Sequence, residues 1–367
     1  MVYEKLFSPI TINKMELQNR IVLAPIVSWN MVDEDGFVTP EYSDYVCRRA
    51  RGGISMAIIG AVSAQDLHKV AIASIHSDKH IPKLKEMVNR IHSESDCKII
   101  PQIFIFPLQA VEDMTTDSIK QAVEDFVNAA IRSKEAGFDG IEIHGAHGYL
   151  LANFLSGTNR RKDEYGKNIK GRMKLTVEIY KKCREVLGKD YPIGIRINGD
   201  DFTIGGNTLL HTMEIAEDLA ELGLDYISLS AGGRTEDSQA VIPGLGAKYA
   251  YPPVGGYSGY RAVPPSWMPE MVNVYLAERI KGTLRKAGYN TPVMTAGRIP
   301  YAQLAEEILQ EGKADLIGLA RPILRDPNWA LKVKEGREKD IDECEYCNGC
   351  MDSLWKGEGH YCIYLHE

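Results

Sequence analysis

Eight short apolar runs, most of them rich in β-branched residues, recur along the chain. They are RIVLAPI (20–26), MAIIG (56–60), KIIPQIF (98–104), DGIEIH (139–144), PIGIRI (192–197), DYISLS (225–230), PVMTA (292–296) and DLIGL (315–319). Several are continuously apolar rather than alternating, the pattern of parallel strands covered by helices. Between them lie stretches of helical period such as DSIKQAVEDFVNAAIRSKEAG and TLLHTMEIAEDLAELG, each closing on a Gly that suits a helix C-terminus. Eight strand–helix units predict an α/β fold, a TIM (β/α)8 barrel over residues 1–340. A doubly wound sheet is the alternative, but no G-x-G-x-x-G follows any of these strands. Residues 341–367 follow an eighth helix read in DPNWALKVKEGREKD, and form a short appendix to the barrel.

Charge and composition narrow the partners. The 367 residues carry a net charge of -7 with no basic block, which argues against nucleic acid. No apolar run approaches the roughly 20 residues of a membrane span, and MVYEKLFSPI lacks a signal-peptide core, so a cytoplasmic location is expected. The seven cysteines, an odd count in a large chain, argue against a disulfide framework. Cys47, Cys97 and Cys183 stand alone and read as small buried apolar side chains.

In TIM barrels the active site lies at the C-terminal ends of the strands. That rule collects Pro25, Ile26, Gly60, Gln102, His144, His147, Tyr149, Arg196, Gly297, Arg298, Ala320 and Arg321. Strands seven and eight end in TAGRI and GLARP, where exposed backbone N–H groups and two guanidiniums suit a phosphate. Arg196 and Gln102 interrupt apolar strands and are costly inside a barrel unless they meet an anion or a polar ring edge. Together these features suggest FMN across the barrel mouth, its pyrimidine edge on Gln102 and Arg196. His144, His147 and Tyr149 leave strand four within six residues, and can hydrogen-bond a carbonyl or carboxylate and deliver a proton. A zinc pair is the other reading of H-x-x-H, without an obvious third ligand. Cys344, Cys347, Cys350 and Cys362 are spaced C-x2-C-x2-C-x11-C. That spacing leans towards an iron–sulfur cluster and leaves a four-cysteine zinc site open.

The segments LFSPITINKMELQNRIVLAPI, HGAHGYLLANFLS, TNRRKDEYG, GIRINGDDF, LGLDYISLS, TAGRI and ADLIGLARPILRDPNW occur in order from residue 6 to residue 329. In them the chain resembles the Old Yellow Enzyme family of FMN-dependent ene-reductases. The likeness is closer to the branch containing 2-enoate reductase, 2,4-dienoyl-CoA reductase and trimethylamine dehydrogenase, in which a cysteine cluster follows the barrel. The resemblance implies that Cys344, Cys347, Cys350 and Cys362 hold a 4Fe-4S cluster, with the N–H groups of Asn348 and Gly349 facing its sulfurs. It also implies that His144 and His147 hold the substrate carbonyl and that Tyr149 protonates the α-carbon after hydride delivery from FMN. Three departures stand out. Val27 replaces the family's usual Thr or Cys, QIFIFPLQA replaces a turn of the type H-x-G-R, and SAGGRTEDSQAV lacks the histidine of the dienoyl-CoA reductases.

The expected function is therefore reduction of a C=C bond conjugated to a carbonyl or carboxylate. Relatives of this branch continue into FAD- and pyridine-nucleotide-binding domains. Either the sequence is a piece of a longer protein, or an external flavoprotein, ferredoxin or partner subunit supplies electrons; a homo-oligomer is allowed. Two alternatives remain at this point. One is an amine dehydrogenase using Trp29, Tyr149, Tyr257 and Tyr260 as a cation cage. The other is an electron-transfer subunit without chemistry of its own.

Overall fold

The computed structural model describes residues 3–28, 30–67, 69–234, 236, 259–355, 358–359 and 361–364. Ten strands are present among them. A hairpin of β1 (Ile10–Ile12) and β2 (Met15–Leu17) precedes eight parallel strands: β3 (Ile21–Leu23), β4 (Met56–Ser63), β5 (Lys98–Phe104), β6 (Ile141–Gly145), β7 (Ile193–Asn198), β8 (Tyr226–Ser230), β9 (Val293–Ala296) and β10 (Leu316–Leu319). These eight close in sequence order, with β10 pairing back on β3, into the expected barrel. The helices that return the chain are α1 (Pro40–Arg51), α2 (Ile81–Glu94), α3 (Thr116–Glu135), α4 (Leu150–Leu155), α5 (Ile169–Leu187), α6 (Leu209–Leu222), α7 (Val274–Lys286) and α8 (Ala302–Gln310). None is long and apolar enough to cross a membrane, among the described residues.

Strand alternation divides the barrel in two. Outward residues such as Ile59, Ile99, Ile143, Ile195, Ile227 and Ile317 join the helices in one continuous core, to which Cys47, Cys97 and Cys183 also belong. The inner face is apolar at the N-terminal end, where Val22, Met56, Ile58, Ile100, Tyr226, Met294 and Leu316 cluster with Ile12, Met15 and Leu17 of the hairpin. The hairpin thus plugs the barrel floor. Gly194 makes room for the largest side chain of that layer, since a Cβ there would lie 2.0 Å from the Tyr226 ring. Towards the C-terminal end the inner face turns polar, carrying Gln102, Glu142, His144, Arg196 and Ser230, all buried.

One expectation needs correction. The eighth helix does not run through 326–340. It is split into α9 (Arg321–Arg325) and α10 (Trp329–Lys334), because Pro327 disfavours helical backbone at Asp326. The cysteine segment then adds α11 (Gly349–Trp355).

Candidate active site

The polar end of the barrel opens into a cleft. All the side chains singled out at the strand ends line it. Pro25 and Ile26 follow β3, Gly60 and Gln102 come from β4 and β5, and Arg196 from β7. Gly297 and Arg298 follow β9, while Ala320 and Arg321 follow β10. His144, His147 and Tyr149 complete it from β6 and the turn after it. Ala262, Val263, Pro264, Tyr346 and Met351 also line the cleft and were not anticipated. They come from irregular segments whose place over the barrel no strand rule gives.

The turn after β6 is what gathers the three proton-bearing groups. His147 and Gly148 take left-handed backbone, with φ of 62° and 76°, and the Tyr149 N–H donates to the Ala146 carbonyl at 3.3 Å. The ring of His144 then lies 5.2 Å from that of His147 and 5.0 Å from that of Tyr149. From the other side the β8 loop pairs with the turn, and the Arg234 N–H donates to the His147 carbonyl at 3.1 Å. Gly233 is required for this approach, because a Cβ would sit 2.3 Å from the His147 Cα. The guanidinium of Arg234 ends 4.5 Å over the Phe106 ring and 5.9 Å from the Tyr149 ring. Phe104 packs edge-on against Tyr149 at 5.1 Å.

A buried polar network lies beneath these groups. Gln102 Nε2 donates to Glu142 Oε1 at 2.7 Å, and the Tyr226 hydroxyl donates to Glu142 Oε2 at 2.9 Å. Arg196 Nη2 donates to Ser230 Oγ at 3.2 Å, and Ser230 Oγ shares a 2.5 Å hydrogen bond with His147 Nε2. Glu142, Tyr226 and Ser230 were not anticipated as site residues. The signal was available in IEIHG and DYISLS, where a polar residue interrupts an apolar strand just as Gln102 and Arg196 do. Burial raises the Glu142 carboxyl above its ordinary range against the pull of Arg196. Burial, reinforced by the Arg196 charge, holds both imidazoles well below their usual value, so His144 and His147 are neutral at pH 7. His144 Nδ1 is buried with no partner among the described residues.

At the far end of the cleft Arg321 Nη1 donates to the Pro264 carbonyl at 2.8 Å and to Asn348 Oδ1. Arg298 Nη1 donates to the carbonyls of Pro265, Ser266 and Met268, while its Nε stays buried without a partner among the described residues. Unfilled donors on Arg298, an imidazole nitrogen without a partner, and the buried amide and guanidinium of Gln102 and Arg196 fit an elongated ligand with a polar ring edge and an anionic tail. FMN has that chemistry.

Cys350 borders the same cleft. Burial pushes the Cys350 thiol up to about 12, against the pull of Arg321. The Tyr346 N–H donates to Cys344 Sγ at 3.4 Å and the Gly349 N–H to Cys347 Sγ at 3.3 Å. The first was not anticipated; Gly349 was. The Asn348 side chain accepts from Arg321 through Oδ1 and donates to the Val263 carbonyl through Nδ2. Among the described residues no group of three or more His, Cys, Asp or Glu side chains is placed to hold a metal ion. A cubane cluster holds its thiolates further apart than one ion does. Of the residues considered for a cation cage, Trp29 and Tyr257 lie outside the described residues, and Tyr260 packs against Trp267 at 5.2 Å.

Comparison with known proteins gives four further findings. A family model described as NADH:flavin oxidoreductase / NADH oxidase matches residues 5–113, 108–239 and 271–340. The chain is 35% identical to an NADH oxidase of Thermoanaerobacter brockii, over 95% of this chain and 54% of that protein. It is 32% identical to an NADPH dehydrogenase of Bacillus subtilis, over 92% of this chain and 96% of that one. Among solved structures, a 2-naphthoyl-CoA reductase in complex with 2-naphthoyl-CoA superposes with a TM-score of 0.85 at 25% identity, over 99% of this chain and 57% of that one. The chain thus spans about half the length of the first relative and of this structure.

Proposed function

The chain belongs to the NADH:flavin oxidoreductase / NADH oxidase family, and from that premise we propose that it reduces the C=C bond of an α,β-unsaturated carbonyl or carboxylate compound. The observation that carries the reading is the convergence of two neutral imidazoles and one phenol on a single wall of the cleft. Neutral imidazoles offer N–H donors to a carbonyl oxygen, where negative charge grows as the double bond is attacked. His144 has a ring nitrogen to spare, and His147 is oriented through Ser230. Tyr149 stands beside them as the proton donor to the α-carbon, a role worth about 10² to 10⁴ in rate. Phe104 and Phe106 pack against Tyr149 and keep water from that side.

FMN, when bound, supplies the hydride. Gln102 and Arg196 would hold its pyrimidine edge, and Pro25, Ile26 and Gly60, which line the cleft, would border the ring. Gly297, Arg298, Ala320 and Arg321 would hold its phosphate. We assign Cys344, Cys347, Cys350 and Cys362, in a segment 341–367 distinct from the barrel of 1–340, to a 4Fe-4S cluster that supplies single electrons when bound. The spacing of the four cysteines and the two N–H···S bonds support that assignment. The names of two relatives, NADH oxidase and NADPH dehydrogenase, favour a nicotinamide as electron source over the separate flavoprotein, ferredoxin or subunit expected from the cysteine segment.

An amine substrate fits less well, because the Arg234 guanidinium already lies beside Tyr149 and repels a cation. A pure electron relay has no use for a proton donor. The test is anaerobic: protein with reduced flavin is mixed with an enone or an enoate, and protein with oxidised flavin with a tertiary amine. Reoxidation by the alkene with a saturated product supports the reading. Bleaching by the amine alone, or no change in either arm, overturns it.

A further inference from the structure

Three residues of the cleft, Tyr346, Cys350 and Met351, come from the cysteine segment rather than from the barrel. In sequence Tyr346 and Asn348 alternate with the thiols: Cys344, Tyr346, Cys347, Asn348, Cys350. Both are buried, and both take left-handed backbone, with φ of 53° and 60°. N–H···S bonds to Cys344 and Cys347 tie this winding stretch to the sulfurs.

What the two side chains touch is the phosphate end of the cleft. The Tyr346 ring lies under both guanidiniums, 5.1 Å from Arg298 and 4.6 Å from Arg321. The Tyr346 carbonyl accepts from the Ser266 N–H at 2.9 Å, anchoring the segment whose carbonyls hold Arg298. Asn348 accepts from Arg321 through Oδ1 and donates to the Val263 carbonyl through Nδ2 at 2.9 Å. Each guanidinium therefore has its Nη1 edge spent on the protein. Its remaining donors keep a fixed direction, and in Arg298 the Nε is still without a partner among the described residues. Donors oriented in advance bind an anion more tightly, because no rotamer freedom is lost on binding.

We propose that Tyr346 and Asn348 are positioning residues for FMN. They hold Arg298 and Arg321 in the orientation that receives the phosphate, so FMN retention depends on the cysteine segment being assembled. This rests on the reading above in which those arginines bind the phosphate and the cysteines hold a cluster. A segment that lost its cluster would release the Tyr346 ring and the Asn348 amide and open the wall at Cys350.

The test measures FMN affinity by fluorescence quenching on titration into flavin-stripped protein, with iron content and thermal melting followed alongside. Asn348→Ala and Tyr346→Leu each raise the FMN Kd about tenfold, while melting and iron stay near wild type. Tyr346→Phe keeps the ring and loses only a hydroxyl without a partner among the described residues, so its Kd stays within about twofold. Chelating the iron from wild type raises the Kd at least as far as either variant. An unchanged Kd in Asn348→Ala and Tyr346→Leu, or after iron removal, overturns the proposal. The underlying readings fail separately. Protein that binds no iron refutes the cluster while the two variants still decide the positioning. Unchanged FMN affinity in Arg298→Ala and Arg321→Ala refutes the phosphate site itself.

Discussion

The neutrality of the histidine pair has a measurable cost in acid. His144 and His147 are 2% and 8% exposed, and burial beside Arg196 depresses both imidazoles. Above pH of about 6.5 neither the folded nor the unfolded chain protonates them, so they add no pH dependence there. Below it the unfolded chain takes up protons that the folded cleft refuses, and stability falls as pH falls. Each imidazole costs up to about 1.4 kcal/mol per pH unit for as long as the folded cleft keeps it neutral, so the pair loses up to about 3 kcal/mol between about pH 6.5 and about pH 5. The comparison is between wild type and His144→Asn/His147→Asn, both flavin-free, by urea unfolding across that range. Other titrating groups, including His76, are common to both proteins and cancel in the difference. The double variant should gain on wild type by about that amount towards the acid end. Parallel pH curves would mean that the folded cleft takes up these protons as readily as the unfolded chain does, and the depression of the two imidazoles would be refuted.

Three further outcomes are expected. His144→Ala/His147→Ala should abolish binding of an activated alkene while FMN stays bound, as read by flavin difference spectra; normal turnover would remove the pair from the substrate clamp. Tyr149→Phe should slow alkene reduction by about 10² to 10⁴ with FMN retained, whereas an unchanged rate would make solvent the proton source. Arg196→Ala should lower the reduction potential of bound FMN, because the anionic reduced ring loses its counter-charge. Equal potentials in spectroelectrochemical titration would take Arg196 off the flavin edge.

The strands were legible because a parallel barrel needs both strand faces buried, which writes continuous apolar runs such as MAIIG into the chain. The same property made Gln102 and Arg196 conspicuous, since a polar side chain there has nowhere to go but the cleft. Glu142 and Ser230 obey the same logic, yet they serve their neighbours rather than the ligand, and only the hydrogen bonds to Gln102, Tyr226, His147 and Arg196 reveal that. The floor hairpin escaped notice because ITINKMEL is too short to stand out, although Asn13 at φ 54° is the turn signal. Arg234, Tyr346 and the hold of Asn348 on Arg321 were illegible for another reason. Each reaches the site through irregular backbone, where no periodicity links sequence position to place.

The most direct test of the central claim is a single turnover counted in molecules. Protein with its flavin fully reduced is mixed without oxygen with cinnamaldehyde, and flavin absorbance and products are followed together. The account predicts reoxidation of the flavin with one molecule of 3-phenylpropanal per flavin, much slower in Tyr149→Phe. A flavin that stays reduced while the double bond survives, or one that reoxidises without saturated product, would contradict it.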